Sequence, residues 1–136
     1  MGEVNAEITI RNGSDLVLVR KGHLDEQNVR TVTVNALVDT GAATLVISNK
    51  LREVLGLDII GEEIVSIAGG STAYCDVAEP VQICWKNRTS YVQPWILSED
   101  DEVLIGQIPL EEMDLIIDPK NQTLTGRHGD KPRRRL

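Results

Sequence analysis

A carboxylate, a hydroxyl and a glycine interrupt an otherwise apolar stretch, ALVDTGAATLVIS, which runs from Ala36 to Ser48. Asp39 follows three apolar residues, and the chain returns to Leu, Val and Ile after Thr44. Burying an isolated carboxylate is costly unless hydrogen bonds or a charged partner compensate it. Asp, Thr and Gly also favour surface turns, but polar residues normally follow such a turn. The pattern therefore favours a tight loop that presents Asp39 from inside the fold, and a polar turn after a strand is the alternative.

The core of this chain has to be built mainly from aliphatic side chains. Of its 136 residues, 41% are hydrophobic but only 3% are aromatic, and phenylalanine is absent. Val and Ile are enriched in strands because branched side chains pack well on a pleated surface. A chain of this length suits one domain with a modest core. We therefore predict a single, mostly β domain over residues 1–126, followed by a basic tail over residues 127–136.

Charge is distributed unevenly between the body of the chain and this tail. The formal net charge is -7, yet residues 127–136 (RHGDKPRRRL) hold five Lys or Arg side chains against one Asp. The acidic body argues against nucleic acid as a partner, since binding phosphates requires a positive face. Three arrangements are open for the tail: contact with an acidic partner, folding back onto the body or, most commonly for such a run, solvation.

The sequence indicates neither a metal nor an organic cofactor. It contains no Gly-rich phosphate loop, no HExxH motif and no paired CxxC motif. The acidic run SEDDE is interpreted as a solvated loop, with metal binding as the alternative. His23 and His128 have no evident nucleophile nearby and are interpreted as surface residues. Trp85 and Trp95 are expected to cover the edges of the core or, alternatively, to line a substrate pocket.

We predict a soluble cytoplasmic protein that does not associate with membranes. The N-terminal sequence MGEVNAEITI lacks the basic start and long apolar run of a signal peptide. No run of 18 apolar residues is present. Cys75 and Cys84 lack the spacing of metal ligands, so both are expected to be reduced, structural cysteines.

Turn and capping signals divide the first half of the chain into short elements. Asn12-Gly13 predicts a hairpin within EITIRNGSDLVLVR, and NVRTVTVNALV predicts a third strand that leads into Asp39. Ser48 is a candidate N-cap for a helix of about two turns over NKLREVLG, with Gly56 as its end.

Similar signals organise the second half. EEIVSIAGGSTAYCDV predicts two strands folded over Gly69-Gly70, and VQICWKNRTSYVQPWIL predicts a hairpin that turns at Lys86-Asn87. VLIG predicts a short buried strand, and Pro109 is expected to open a helical turn. DLIID and QTLTG predict a last hairpin around PKN. The chain is therefore expected to be mostly β with two short helices.

Three segments in this order resemble the retropepsin-like aspartic proteases: ALVDTGAATLVIS, the glycine-tipped hairpin IVSIAGGSTAYCDV, and EVLIGQIPLEEMDLIID. The chain is similar in particular to the small, single-domain prokaryotic relatives of the retroviral enzymes, over residues from about 30 to 118. The most specific parts are two apolar residues before Asp-Thr-Gly-Ala and, about 65 residues later, two apolar residues and a glycine before a short helix. The resemblance implies a closed acid-protease β-barrel and aspartic endopeptidase activity.

The resemblance also implies a role for each matching residue. Asp39 would be the catalytic acid, and the Gly41 amide would donate a hydrogen bond to its carboxylate. Thr40 would hydrogen-bond across a subunit boundary, and Ala42 would line the floor of the cleft. The flap over a bound peptide would consist of Ile67, Ala68, Gly69, Gly70, Ser71 and Thr72. The strand beside the catalytic loop would consist of Leu104, Ile105 and Gly106.

Two departures from the family pattern concern the subunit interface. The retroviral enzymes commonly carry an arginine after the later glycine, where this chain has Gln107. That arginine often pairs with an acid near the start of the chain, so dimer stabilisation is expected to be arranged differently here. The chain also extends well past the usual short terminal strand, so the position of the interface strands is left open.

Hydrolysis by carboxylates requires two of them, one to accept a proton from water and one to donate a proton. Two carboxylates about 3 Å apart cannot both ionise and therefore share a proton. This chain has one Asp-Thr-Gly, so a two-fold axis would supply the second Asp39. We predict a homodimeric aspartic endopeptidase that acts on peptide or protein substrates without a cofactor. The alternative is a non-catalytic peptide-binding or assembly module on the same fold.

Overall fold

The computed structural model describes residues 3–67, 69–98, 100–129, 131–133 and 136. These residues form mostly β-structure, with three α-helices and a 3-10 turn over Glu26–Asn28. The helices are α1 (Gly13–Arg20), α2 (Asn49–Leu55) and α3 (Gln107–Glu112). The strands are β1 (Asn5–Asn12), β2 (Thr31–Val38), β3 (Leu45–Ser48), β4 (Ile59–Ser66), β5 (Thr72–Ala78), β6 (Val81–Trp85), β7 (Arg88–Val92), β8 (Trp95–Ser98), β9 (Leu104–Ile105), β10 (Leu115–Asp118) and β11 (Thr123–Gly126).

Nine of these strands form one sheet, and the short strand β9 lies in its middle. The order is β4-β5-β8-β3-β9-β2-β1-β6-β7, while β10 and β11 pair with each other. Strand β9 is parallel to β2 and antiparallel to β3, so it separates the strand that enters Asp39 from the strand that follows it. The mostly β class is confirmed. A closed barrel is not confirmed, since the outer strands β4 and β7 do not pair among the described residues.

Aliphatic side chains fill the core, as the composition predicted. Ile8, Ile10 and Ile83 from the sheet are at most 1% exposed, and Met113, just after α3, is fully buried. Burying a side chain of this size contributes about 1.5–3 kcal/mol of transfer free energy. Trp85 is 8% exposed and belongs to the same cluster, so it packs as a core residue.

The predicted hairpin at Asn12-Gly13 is wrong, because the chain enters α1 instead of turning back. The Asn12 side chain accepts a hydrogen bond from the Asp15 amide (3.0 Å) and so caps the helix. Its Nδ2 donates to the Leu55 carbonyl (2.8 Å), and the residue is fully buried. Asn is favoured both in hairpin turns and at helix N-caps. Here the buried contact with α2 selects the cap, and the chain gains a helix that the sequence did not predict.

Asp15, in the first turn of α1, forms an ion pair with Arg30, in which the carboxylate is buried and the Arg30 side chain is half exposed. Its carboxylate accepts hydrogen bonds from the Arg30 Nε (2.9 Å), Nη2 (2.8 Å) and backbone amide (3.0 Å). The side-chain hydrogen bonds from Arg30 hold the pKa of Asp15 below its ordinary value, although burial acts in the opposite direction. The pair attaches α1 to the residue that precedes β2.

We expect Asp15→Asn to lower the free energy of unfolding at neutral pH by about 2 kcal/mol, because the charged acceptor of three hydrogen bonds is lost. A carboxyl group whose pKa is lowered by folding stabilises the protein above its unfolded pKa, and this contribution disappears as the pH falls through the folded value. The difference between wild type and variant should therefore shrink below about pH 4. Urea unfolding at pH 7 and pH 3 measures both values. A difference that is the same at both pH values would contradict the ion pair.

Helix α2 begins and ends where its capping signals predicted, whereas helix α3 begins earlier than predicted. Ser48 Oγ accepts a first-turn amide hydrogen bond in α2, and Gly56 ends this helix with φ 67°, both as predicted. Helix α3 begins at Gln107, with Gly106 as its N-cap, so it starts before the predicted position at Pro109. Proline is accommodated there because amides of the first turn need no intrahelical acceptor. None of the described helices is long and apolar enough to span a lipid bilayer.

The three hairpin turns predicted in the second half are confirmed, but the second hairpin ends at Val92, because Trp95–Ser98 forms the separate strand β8, which pairs with β3 and β5. Strands β4 and β5 pair on either side of Gly69 and Gly70, whose φ values of 92° and 86° strongly favour glycine. Strands β6 and β7 pair across Lys86-Asn87, and β10 pairs with β11. The β4–β5 hairpin is thereby placed at one edge of the large sheet.

Candidate active site

Asp39 follows strand β2 and begins a tight loop, here called the Asp39 loop (residues 39–44). Its amide donates to the Ile105 carbonyl (3.0 Å), and its own carbonyl accepts from the Ala42 amide (3.0 Å). The carboxylate Oδ1 accepts a hydrogen bond from the Gly41 amide (2.9 Å), the contact that the family resemblance implied. A β-carbon at Gly41 would lie 3.1 Å from this oxygen, so glycine keeps the contact unobstructed. Within one chain the Asp39 side chain is half-buried rather than fully interior.

The start of helix α3, about 65 residues later in the chain, is hydrogen-bonded to the Asp39 loop. Three consecutive amides at its start donate to three loop carbonyls. The pairs are Gly106 to Thr44 (3.0 Å), Gln107 to Ala42 (2.9 Å) and Ile108 to Ala43 (2.9 Å). A β-carbon at Gly106 would lie 2.4 Å from the Ala42 carbonyl oxygen, which is far inside contact distance. Glycine at this position is therefore a steric requirement of the site.

The Asp39 loop borders a cleft of about 520 Å³. Asp39 is the only ionisable residue among the described residues that line it, and most of the others are apolar. A concave, mainly apolar site can enclose an apolar segment of a ligand, and its one charged group can orient the ligand by binding a polar atom. The lining consists of Asp39, Gly41, Ala42, Ala43, Val46, Ile64, Val65, Ser66, Ile67, Trp95, Leu97 and Leu104.

The cleft brings together part of the site that the sequence predicted. Gly41, Ala42, Ile67 and Leu104 line it together with Asp39. The other predicted residues do not: Thr40 is exposed, Ile105 is fully buried, Gly106 supports the loop, and Gly69, Gly70, Ser71 and Thr72 lie at the exposed end of the β4–β5 hairpin. Ala68 lies outside the described residues. The bond of Thr40 across a subunit boundary stays a prediction.

Sequence reasoning missed several lining residues from other strands. Val46 and Trp95 face each other across the parallel pair β3–β8, which places both on one face of the sheet. Leu97 follows Trp95 at the two-residue spacing that keeps it on the same face. This alternation was visible in the sequence, but nothing local showed which face borders the cleft. Trp95 therefore takes the second of its two expected roles, lining a pocket.

The β4–β5 hairpin contributes residues 64–67 to the wall of the cleft. Its tip is closed by hydrogen bonds from the Ile67 amide to the Ser71 carbonyl (2.9 Å) and from the Gly70 amide to the Ile67 carbonyl (3.2 Å). Ile64 and Tyr74, paired across the two strands, are 64% and 68% exposed. Segments with few buried contacts open at low free-energy cost, which suits a wall that has to admit a ligand.

Carboxylates surround the cysteine on this hairpin. Burial raises the pKa of the Cys75 thiol, and the nearby Glu63 and Asp76 raise it further. A thiol with a raised pKa is a weaker nucleophile, because less of it is present as thiolate. In the described part of the chain, no group of three or more His, Cys, Asp or Glu residues is arranged to hold a metal ion.

Asp39 also borders a second cavity, of about 510 Å³. This cavity lies among the start of the chain, the end of β2 and the β10–β11 hairpin, and its lining is again mostly apolar. The residues other than Asp39 are Glu3, Val4, Leu37, Val38, Ile117, Pro119 and Gln122. Asp39 thus borders two mostly apolar spaces formed by different parts of the fold.

Comparison with known proteins agrees with this geometry. Residues 26–108 match the family model described as aspartyl protease. The fold is similar to the crystal structure of the retroviral protease-like domain of Ddi1 from Leishmania major, with a TM-score of 0.57 and 17% sequence identity over 97% of this chain and 94% of that chain. No curated protein matches the sequence. The chain therefore belongs to the aspartyl protease family and has a retroviral protease-like fold.

Proposed function

We propose that the chain is a homodimeric aspartic endopeptidase in which Asp39 from each copy contributes to one shared dyad. The observation that carries this proposal is the Asp39 carboxylate, which accepts the Gly41 amide and is the only ionisable group among the described residues of an apolar cleft. One carboxylate cannot both accept a proton from water and supply a proton to the substrate. A second copy related by a two-fold axis would supply the missing group.

In the proposed reaction, a water molecule held between the two Asp39 side chains attacks the carbonyl carbon of the scissile peptide bond. The ionised carboxylate takes a proton from the water as the new C–O bond forms, and the protonated carboxyl gives its proton to the carbonyl oxygen. The resulting diol then collapses as its C–N bond breaks. The dyad passes one proton to the leaving nitrogen, takes one from the diol, and returns to its singly protonated form.

The proposed substrate is an extended peptide that lies between the β4–β5 hairpin and the Asp39 loop. Such a peptide forms strand-like hydrogen bonds with its binding site, while pockets select alternate side chains. The apolar walls formed by Val46, Trp95 and Leu97 favour an aliphatic or aromatic side chain next to the scissile bond. The left-handed conformations of Gly69 and Gly70 give the hairpin tip the backbone freedom of a flap.

The second cavity beside Asp39 supports a subunit interface at that side of the fold. It is mostly apolar, and it is built in part from the β10–β11 hairpin, which pairs with no strand of the large sheet in the described part of the chain. A copy packed there would cover apolar surface and bring its own Asp39 close to the first.

We further propose a cytoplasmic location, because Cys75 and Cys84 are both free thiols, as in a reducing compartment.

We expect the active species to sediment at about 30 kDa, twice the 15.0 kDa mass of the chain. Specific activity on an apolar peptide should fall on dilution in parallel with the dimer fraction, because half of the dyad is lost on dissociation. Sedimentation and activity measured over the same concentration series test this. A monomer that keeps its full specific activity would contradict the shared site, and a dimer that binds the peptide without cleaving it would indicate a binding module.

A further inference from the structure

The basic C-terminal segment, residues 127–129 and 131–133, folds back onto the body of the chain. The Arg127 amide donates to the Asp114 carbonyl (2.9 Å). The Asp114 Oδ2 contacts His128 Nδ1 (2.7 Å) and accepts a hydrogen bond from the Arg133 amide (3.0 Å). Of the three arrangements open from the sequence, the segment thus adopts the fold-back, and these contacts converge on one residue just after α3, Asp114.

Arg88, at the start of β7, connects this segment to the core. It is 1% exposed, and its Nη1 donates to the carbonyls of Met113 and Asp114, each at 2.8 Å. Its Nη2 donates to the carbonyl of Gly129 in the C-terminal segment. The Asp114 Oδ2 lies 3.8 Å from Nη1, and no other acid in the described residues pairs with this guanidinium. Removing one partner of a buried charge pair is strongly destabilising, so Arg88 depends on Asp114.

Helix α3 connects this buried charge pair to the Asp39 loop. It has only six residues, too few for a helix that is stable without tertiary contacts. Its start is tied to the loop by the amides of residues 106–108, and its end is held by Arg88 and Asp114. A displacement at the end of so short an element is therefore transmitted to its start.

We propose that Asp114 is a positioning residue: with Arg88 and the C-terminal segment, it fixes α3 and thereby sets the position of the Asp39 loop. The basic tail is in this sense part of the machinery that supports the cleft. The hydrogen bonds from the Arg133 amide and His128 hold the pKa of Asp114 below its ordinary value. The charged groups that face Asp114 are Arg88, Arg127 and His128, all potential cations, so the carboxylate stays ionised at mildly acid pH.

The test is amide hydrogen exchange at Gly106, Gln107 and Ile108 in the full chain, because these amides form the bonds to the Asp39 loop. In Asp114→Asn their exchange should accelerate about tenfold or more relative to wild type, since the local opening becomes easier. Asparagine suits the left-handed backbone of this position, φ 55°, so the change acts on the charge.

Asp118→Asn is the matched control for this measurement. It removes the charge of a different hydrogen-bonded acid, at the end of β10. The Asp118 carboxylate accepts hydrogen bonds from the Lys120 amide and the Asn121 side chain and does not face Arg88. This variant should therefore leave the exchange of the three amides unchanged.

A second variant keeps the test decisive if Asp114→Asn does not fold. His128→Ala removes one contact to the carboxylate but leaves the Arg88 charge compensated, and should accelerate the same amides about threefold. The proposal would be overturned if exchange at these three amides accelerated no more than exchange at the Ile83 amide in the core. It would also be overturned if Asp118→Asn accelerated them as much as Asp114→Asn or His128→Ala does.

The kinetic part of this inference rests on the proposed function. In Asp114→Asn kcat should fall about tenfold while KM changes little, because a misplaced loop impairs the reaction more than peptide binding. An unchanged kcat in a variant with accelerated exchange would overturn it. The exchange measurement needs no substrate, so an absence of cleavage by wild type would reject the endopeptidase and leave the structural result to be decided by exchange.

Discussion

Asp39→Asn is expected to lower kcat/KM for peptide cleavage by about 10³-fold or more, to the limit of detection, because an amide can neither accept nor donate the proton that the reaction moves. In the proposed dimer both copies of the change fall on the two-fold axis, so no carboxylate is left in the dyad. Asn keeps the size of the side chain and an oxygen that accepts the Gly41 amide. The folded structure should therefore persist, with a melting temperature at neutral pH equal to or slightly above that of wild type.

Asp25→Asn is the matched control for this substitution, because Asp25 is an exposed acid with no side-chain capping bond. It makes the same chemical change outside the cleft and should leave cleavage unaffected. Peptide hydrolysis and melting curves between pH 4 and 7 compare the three proteins. Equal cleavage by wild type and Asp39→Asn would end the aspartic-protease hypothesis and return Asp39 to the structural turn acid of the alternative interpretation.

Gly106→Ala is expected to lower the free energy of unfolding by about 3 kcal/mol, because it overpacks the contact between α3 and the Asp39 loop. The added β-carbon would lie 2.4 Å from the Ala42 carbonyl oxygen and 2.6 Å from that of Thr44, and both are backbone atoms that cannot rotate away. Gly106 has φ -97° and ψ -169°, an extended conformation open to alanine, so the cost is steric. Any relief requires α3 and the Asp39 loop to separate, so activity should fall too.

Gly61→Ala provides the comparison, since a β-carbon at Gly61 in β4 meets no atom within 4 Å. We expect this variant to unfold within about 0.5 kcal/mol of wild type, as surface substitutions do. Urea unfolding and peptide cleavage of both alanine variants measure the difference. If Gly106→Ala were as stable as Gly61→Ala, the close contact between α3 and the loop would be wrong.

The elements that the sequence predicted well are those whose signals are local. Helix α2 depends on the Ser48 cap and the Gly56 stop, which act within one turn of the chain. The signal at Asn12 was equally local but ambiguous, because asparagine serves both a hairpin turn and a helix cap. What decided between them was the bond from Asn12 to Leu55, a contact over 43 residues that no local pattern contains.

The residues of the candidate site likewise divide into those with a local sequence signal and those brought together only by the fold. Asp39 and Gly41 were predictable because their contact spans two residues and their motif is continuous. Val46 was not assigned to the site, and Trp95 was assigned to a pocket only as an alternative, because their adjacency arises from the parallel pairing of β3 with β8. The role of the tail was left open for a related reason: the charge of residues 127–136 was evident, but the buried partner of the segment, Arg88, is a single residue in an ordinary strand.

The position of the short strand β9 in the chain bears on when the Asp39 loop can become organised during synthesis. The Asp39 amide bonds to Ile105, and the loop carbonyls bond to the start of α3, about 65 residues later in the chain. Contacts over such separations form late in folding because a long loop has to close first. A nascent chain that has emerged only as far as β8 already contains Asp39 and most of the cleft wall, yet lacks the bonds from β9 and α3 that hold the loop. We therefore expect Asp39 to be organised only after β9 and α3 have left the ribosome, when almost the whole domain has been made.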